Sequence, residues 1–176
     1  MASDEDLVAR SKARDKHAFE HLLQPLIGPA LRFAYGMLQD RAGAEDVVQE
    51  AALKAWRRLG NLRPGAEFRP WFLGIVANEC RTLQRSRWWS VLRRAEVHGS
   101  AAVAPEGEFL RGVDLRRAVA QLPHDQRAVI LLHFYLDLPL DEVARTAGIS
   151  VAGVKSRINR ALRKLRPSVS KSEAAT

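Results

Sequence analysis

The sequence predicts an all-α protein of two small helical domains joined by a flexible linker, the second carrying a helix-turn-helix. Three observations carry this reading. Apolar residues recur at helical spacing and seldom alternate with the period of two that marks a half-buried strand. The stretch 95–112 (AEVHGSAAVAPEGEFLRG) is small, polar and broken by Gly and Pro, a composition that separates folded units. Residues 140–165 (LDEVARTAGISVAGVKSRINRALRKL) read as two helices about a glycine turn. A chain of 176 residues with 47% apolar content has material for two helical cores, placed here at 1–94 and 113–176.

In order, residues 4–14 form a short amphipathic helix with Leu7 and Val8 inward. The apolar run 17–38 follows, built on Phe19, Leu22, Leu26, Leu31 and Phe33. Its helix is expected to break near Pro25 and Gly28-Pro29, because an interior proline loses a backbone donor and crowds the preceding turn. His17 and His21 stand four apart, but no carboxylate or cysteine completes a ligand set, so no metal is expected.

Residues 41–59 (RAGAEDVVQEAALKAWRRL) predict a helix whose buried stripe is Val48, Ala52, Ala55 and Leu59, flanked by Val47, Ala51 and Trp56. Asp46, Gln49 and Glu50 fall at i, i+3 and i+4 and share an exposed face that Leu53 and Arg57 continue. Two readings stand side by side. In a chain this basic, an acidic and amide patch beside an exposed leucine suits protein docking. Equally, Glu45 and Asp46 are acids of the kind a helix macrodipole favours in the first turn.

Residues 60–70 (GNLRPGAEFRP), with two prolines and two glycines, predict a loop. A helix resumes with WFLGIVANECRTLQRSRWW, its turns marked by Trp71, Phe72, Ile75, Val76 and Leu83. Aromatic groups interleaved with Arg81, Arg85 and Arg87 beside a loop suit single-stranded nucleic acid, which needs walls for unstacked bases and cations for phosphates. Trp71 and Phe72 read better as core residues, and the arginines as contacts to phosphate. Cys80, the single cysteine, rules out an intrachain disulfide and a thiolate zinc cluster; it is expected half-buried and inert. The 18 residues of 95–112 span roughly 60 Å at full stretch.

The second domain opens with a helix over 113–122, ended by Pro123, and continues with a strongly apolar helix over 125–136 (DQRAVILLHFYL) that lies under the helix-turn-helix. His124 and His133 are read as surface and core residues. In the motif, Gly148 takes the left-handed backbone that closes one helix, and Ser150 caps the next. Val154, Ile158, Ala161 and Leu165 form the apolar stripe of the second helix. Lys155, Ser156, Asn159, Arg160 and Arg163 fall opposite, flanked by Arg157, Lys164 and Arg166. A major groove admits one helix, and Arg, Lys and Asn read base edges there. A helical hairpin with a solvated basic face is the alternative. After Pro167 a frayed tail is expected.

Charge narrows the partners. Lys plus Arg less Asp plus Glu is 28 − 20, a net charge of +8, and the isoelectric point is near 10.4, which favours polyanions. The charged amino terminus has no apolar signal core, and no stretch approaches the length of a bilayer span, so a cytoplasmic protein is expected. No phosphate-cradling glycine loop or paired catalytic carboxylates appear, so neither an enzyme nor a cofactor is expected.

Three stretches together resemble the extracytoplasmic-function (ECF) sigma factors, compact bacterial transcription-initiation subunits. AEDVVQEAALKAWRRL is similar to the family's polymerase-binding helix, FRPWFLGIVANECRT to its minus-ten segment, and LPHDQRAVILLHFYLDLPLDEVARTAGISVAGVKSRINRALRKLR to its minus-thirty-five reader. The resemblance implies that Asp46, Gln49, Glu50 and Leu53 dock on the clamp helices of the beta prime subunit of core RNA polymerase. It implies that the loop from Asn61 to Phe68, with Leu62 and Arg63, and Asn78 from the next helix hold a flipped minus-ten base of promoter DNA, and that Arg69, Trp71, Arg81 and Arg85 also bind minus-ten DNA. Ser150, Lys155, Ser156, Arg157, Asn159 and Arg160 would then meet the minus-thirty-five major groove, and Arg163 a phosphate. The second domain would touch the beta flap, and an anti-sigma factor would be a further partner. Three departures stand out: Gly74, where Arg is commoner and contacts phosphate; Asp137-Leu138-Pro139, in place of a serine cap; and Trp88-Trp89. Two rival functions remain on the sequence: a stand-alone helix-turn-helix regulator, which leaves Asp46, Gln49 and Glu50 unexplained, and a basic RNA-binding protein.

Overall fold

A computed structural model describes residues 3–94 and 113–173. The predicted linker at 95–112 lies outside the described residues, as do the side chains of Arg87, Trp88 and Trp89. The described residues form eight α-helices and no strand: α1 (Asp4–Lys12), α2 (Lys16–Leu38), α3 (Arg41–Arg58), α4 (Phe68–Arg94), α5 (Val113–Ala120), α6 (His124–Ile130), α7 (Leu140–Ala147) and α8 (Val151–Glu173). In the first half α2 packs against α1, α3 and α4; in the second, α8 packs against α5, α6 and α7.

The expected break in α2 does not occur. Its helix is continuous through Pro25 and Pro29. Spaced four apart, the two prolines leave their missing donors on one side, where Pro25 is exposed. The opposite side buries Leu22, Leu26, Ala30, Phe33 and Met37. At roughly 1.5–3 kcal/mol for each large buried side chain, that face outweighs about 3 kcal/mol per interior proline. Pro167 is likewise accommodated: α8 runs on to Glu173 where a frayed tail was expected. The 60–70 segment is shorter as a loop than expected, because Leu59–Asn61 forms a 3-10 turn and α4 already begins at Phe68. Pro70 then stands in the first turn, where its missing donor has no intrahelical partner to lose.

The apolar helix predicted over 125–136 is interrupted. Residues Leu131–Tyr135 widen into a π-turn, in which Leu136 N donates to Leu131 O at 3.0 Å and Leu138 N to Leu132 O at 3.1 Å. Asp137, at φ 54°, then turns the chain toward α7. The turn leaves Phe134 59% exposed while Leu132 and Leu138 are buried. A run apolar on every side gave no periodicity from which to read which side chain faces outward.

The two halves meet along a seam. Helix α4 packs on α7, and α2 on the π-turn. Gly36 makes the approach possible: a Cβ there would stand 2.9 Å from Leu131 Cδ1, whereas one on Gly74 would meet Thr146 Cγ2 at an ordinary contact distance of 3.8 Å. The departure at position 74 thus falls on the part of α4 that faces Thr146 of α7. Polar ties cross the seam as well. Half-buried Arg127 donates through Nη1 to Met37 O at 2.7 Å, and through Nη2 to Leu122 O at 3.0 Å and to Ala120 O. Desolvation pushes its pKa down, and these carbonyls compensate the buried charge. Arg69 donates to Leu136 O, and Arg32 to the Tyr135 hydroxyl.

Candidate interfaces for protein and nucleic acid

Helix α3 buries Ala44, Val47, Val48, Ala51 and Ala55 against α2 and α4, a stripe displaced toward the helix start from the predicted one, with Ala52 only half-buried. That leaves Asp46, Gln49 and Leu53 on the exposed face, Leu53 at 45% exposure, with Glu50 at its margin. Lys54 organises this margin: its ammonium lies 2.7 Å from Glu79 Oε2 on α4 and 3.4 Å from Glu50 Oε1. The hydrogen bond to Glu79, reinforced by Glu50, raises the Lys54 pKa and keeps the ammonium charged. A rigid ridge results, carrying two carboxylates, an amide and an uncovered leucine.

The loop before α4 is held at its base. Lys12 Nζ donates to Leu62 O at 2.7 Å, and Gly65 takes φ 73° in the turn. Asn61 and Arg63 are exposed, whereas Leu62 and Phe68 are 2% and 4% exposed. Phe68 lies in an aromatic cluster, stacked on Phe72 with centroids 6.0 Å apart and edge-on to Phe19 at 6.0 Å; half-buried Trp71 leans on it at 5.8 Å. Burial therefore removes the Leu62 and Phe68 side chains from the surface a partner can touch; they shape the loop from beneath. Asn78 is exposed one face along α4, and Arg81 and Arg85 follow toward the seam. Arg69 is turned to the Leu136 carbonyl of the second half. Cys80, expected half-buried, is fully buried, and desolvation lifts its thiol pKa to about 12, which keeps it protonated and unreactive.

The helix-turn-helix closes as its residues require. Gly148, at φ 66°, sits past α7, with Ile149 N donating to Ala144 O at 3.0 Å across the turn. Ser150 Oγ accepts from Gly153 N at 3.1 Å and so caps α8. Val154, Ile158, Ala161 and Leu165 are all buried, at 0%, 7%, 0% and 4% exposure. Lys155, Ser156, Asn159, Arg160 and Arg163 are exposed, and Arg160 leans back on Ser156 Oγ at 2.9 Å. Arg157 departs from the group: it turns toward α6 and lies 3.5 Å from Asp125 Oδ2.

Sequence reasoning did not single out Arg127 or His124 for these contacts. Both stand beside Pro123 with no periodic signal to set them apart, and only the seam reveals their partners. His133 Nδ1 lies 2.8 Å from Leu138 O, a contact that supports the chain after the π-turn. Among the described residues no group of His, Cys, Asp and Glu could hold a metal, and no helix is long and apolar enough to cross a membrane. His17 pairs instead with Glu20 at 3.4 Å.

Comparison with known proteins divides the chain along the same lines. Residues 18–90 match the family model for Sigma-70 region 2, and residues 112–165 match that for Sigma-70 region 4. Over 170 residues the chain is 32% identical to the ECF RNA polymerase sigma factor SigM of Mycobacterium tuberculosis, with 93% of this chain and 83% of that protein covered. It is 33% identical over 137 residues to a probable RNA polymerase sigma factor, RfaY, of Xanthomonas campestris; 73% of this chain is covered, and it spans 34% of that longer protein. Among solved structures it is similar to the sigma factor RpoE of Bartonella quintana in complex with the anti-sigma factor NepR. That match has a TM-score of 0.73 and 27% identity, and covers 86% of this chain and 98% of that one.

Proposed function

Since this chain belongs to the ECF family of RNA polymerase sigma factors, whose members direct promoter-specific transcription initiation, we propose how its two exposed faces share that task. The α3 ridge of Asp46, Gln49, Glu50 and Leu53 docks on the beta prime clamp helices of core polymerase. Asn61 and Arg63 on the loop, with Asn78 on α4, hold a flipped minus-ten base, supported from beneath by Leu62, Phe68 and Trp71. Arg69, Arg81 and Arg85 serve phosphates of the same strand. Ser150, Lys155, Ser156, Asn159 and Arg160 enter the minus-thirty-five major groove, Arg163 meets a phosphate, and Arg157 joins them when released from Asp125. Exposed Phe134 offers an apolar contact for the beta flap.

The observation that carries this reading is the placement of the two faces: an acidic and apolar ridge on one half, a cationic helix on the other, each on its own packed scaffold. Neither grip needs to be strong. Two weak DNA contacts joined by a tether, each also held by polymerase, gain avidity from their linkage. Melting follows from trapping an unstacked base, with a pocket that offsets the few kcal/mol of extraction. The seam must open for this, because the packed halves place α4 beside α7, and the residues at 95–112 are long enough to let them part. The complex of RpoE with NepR supports an anti-sigma factor as a further partner, one that would hold this chain away from polymerase.

Run-off transcription with purified bacterial core polymerase tests the proposal. The full chain is expected to direct transcripts from a defined start on promoters of its own genome, and D46K/E50K to abolish them with the helical content unchanged. A chain that neither joins core polymerase nor makes initiation more selective overturns the reading.

A further inference from the structure

A cleft of about 580 Å³ opens at the seam, and its walls come from both halves. Its cationic groups are Arg81 and Arg85 of α4 and Arg157 of α8, with the imidazole of His124 beside them at the start of α6. One carboxylate, Asp125, faces them and lies 3.5 Å from Arg157 Nη2. The remaining positive charge is unanswered: neither Arg81 nor Arg85 makes a hydrogen bond or ion pair among the described residues. His124 Nε2 is buried with no hydrogen-bond partner. Apolar lining comes from Ala128, Ala147 and Ile149, and Gln84 completes the cleft.

Like charges brought together in the cleft repel, and a buried ring nitrogen without a partner loses its hydration with nothing in return. An anion in the cleft removes both penalties. Burial first, and then the charges of Arg81, Arg127 and Arg85, hold the His124 pKa below its ordinary value despite Asp125, so a bound anion would also recharge the imidazole. Planar guanidinium forks match phosphate oxygens in pairs. The volume lies within the roughly 300–1,000 Å³ of small-molecule sites, which is more than a lone phosphate needs, and the apolar wall calls for a flat ring beside the charged end.

We propose that this cleft binds a nucleoside polyphosphate, with the phosphates on Arg81, Arg85, Arg157 and His124 and the base against Ala147 and Ile149, and that occupancy holds the two halves together. The binding stands on the cleft alone; its consequence rests on the sigma reading. The same three arginines serve DNA once the seam opens, so ligand and promoter compete, and by linkage each weakens the other to the same degree.

Calorimetric titration of the full chain with ATP, and separately with inorganic tripolyphosphate, tests this at fixed salt. ATP is expected to bind at one site, about tenfold more tightly than tripolyphosphate. H124A should weaken ATP by a similar factor while leaving ligand-free run-off transcription unchanged. G36L, which drives a side chain into Leu131 across the seam, should weaken the site at least as much. R163A, on the outer face of α8, should leave it intact. Equal affinity for tripolyphosphate overturns the nucleoside assignment. An equal loss in R163A and H124A, or no loss in H124A and G36L, overturns the cleft. Because no polymerase enters the titration, these failures are distinct from a failure of promoter-directed transcription.

Discussion

The exposed faces of α3 and α8 follow opposite electrostatic plans. On α3 the charges bordering the ridge are tied within the chain: Lys54 to Glu50 and Glu79, and Arg41 to Glu45 at 3.0 Å. On α8, Lys155, Arg163 and Lys164 have no ion pair among the described residues, while Arg157 reaches Asp125. The difference matches what each face must meet. A protein partner with its own charges is recognised by shape and register, so a ridge held rigid by internal pairs loses little entropy on docking. DNA presents a repeating polyanion with condensed counterions, and cations left unpaired gain most by displacing them.

The strongest way to break the comparison is to reverse the ridge. D46K/E50K is expected to weaken binding to core polymerase about 100-fold, on the order of 3 kcal/mol, in a fluorescence-anisotropy competition. Unchanged affinity would show the ridge to be ordinary helix chemistry. Next in size, R163A should lower promoter affinity and reduce the salt slope of binding by about 0.9, one phosphate's worth, while polymerase binding stays the same. A smaller effect is expected from S150A, which removes the α8 cap and costs about 1 kcal/mol of stability in denaturant melts without touching α3.

The smallest effect sharpens the comparison at the seam. Burial first, and then Glu67, raise the pKa of Glu142, so in the folded chain it holds its proton to higher pH than in the unfolded one. A raised carboxyl stabilises the fold when protonated, and that contribution is lost as pH rises from the usual carboxylate range through the elevated value. E142Q should therefore be slightly more stable than the parent at neutral pH, and the gain should vanish in acid melts. A gain independent of pH would assign it to packing instead.

The helical class and the helix-turn-helix were legible because they rest on local signals. Gly148, Ser150 and the spacing of Val154, Ile158, Ala161 and Leu165 each state their backbone requirement directly. Pro25 and Pro29 misled for the complementary reason: their cost is local, but the packing that outweighs it comes from α3 and α4, distant in the chain. The π-turn was hidden because residues 128–136 are apolar all round. Leu62 and Phe68 were placed with the partner-facing loop by their position, whereas the aromatic cluster that buries them depends on Phe19, far upstream. The cleft around His124 was out of reach for the same reason, since it exists only where α4, α6 and α8 converge.

The Arg127 guanidinium has a thermal consequence. By donating to the Met37 carbonyl of the first half as well as to Ala120 and Leu122 of its own, it shields a polar end of the first half from solvent. Heating the free chain should therefore give a single calorimetric transition, in which neither half outlasts its neighbour. When the halves part on a larger assembly, water must take over the bond to Met37, and the enzyme surface inherits the work of covering that helix end.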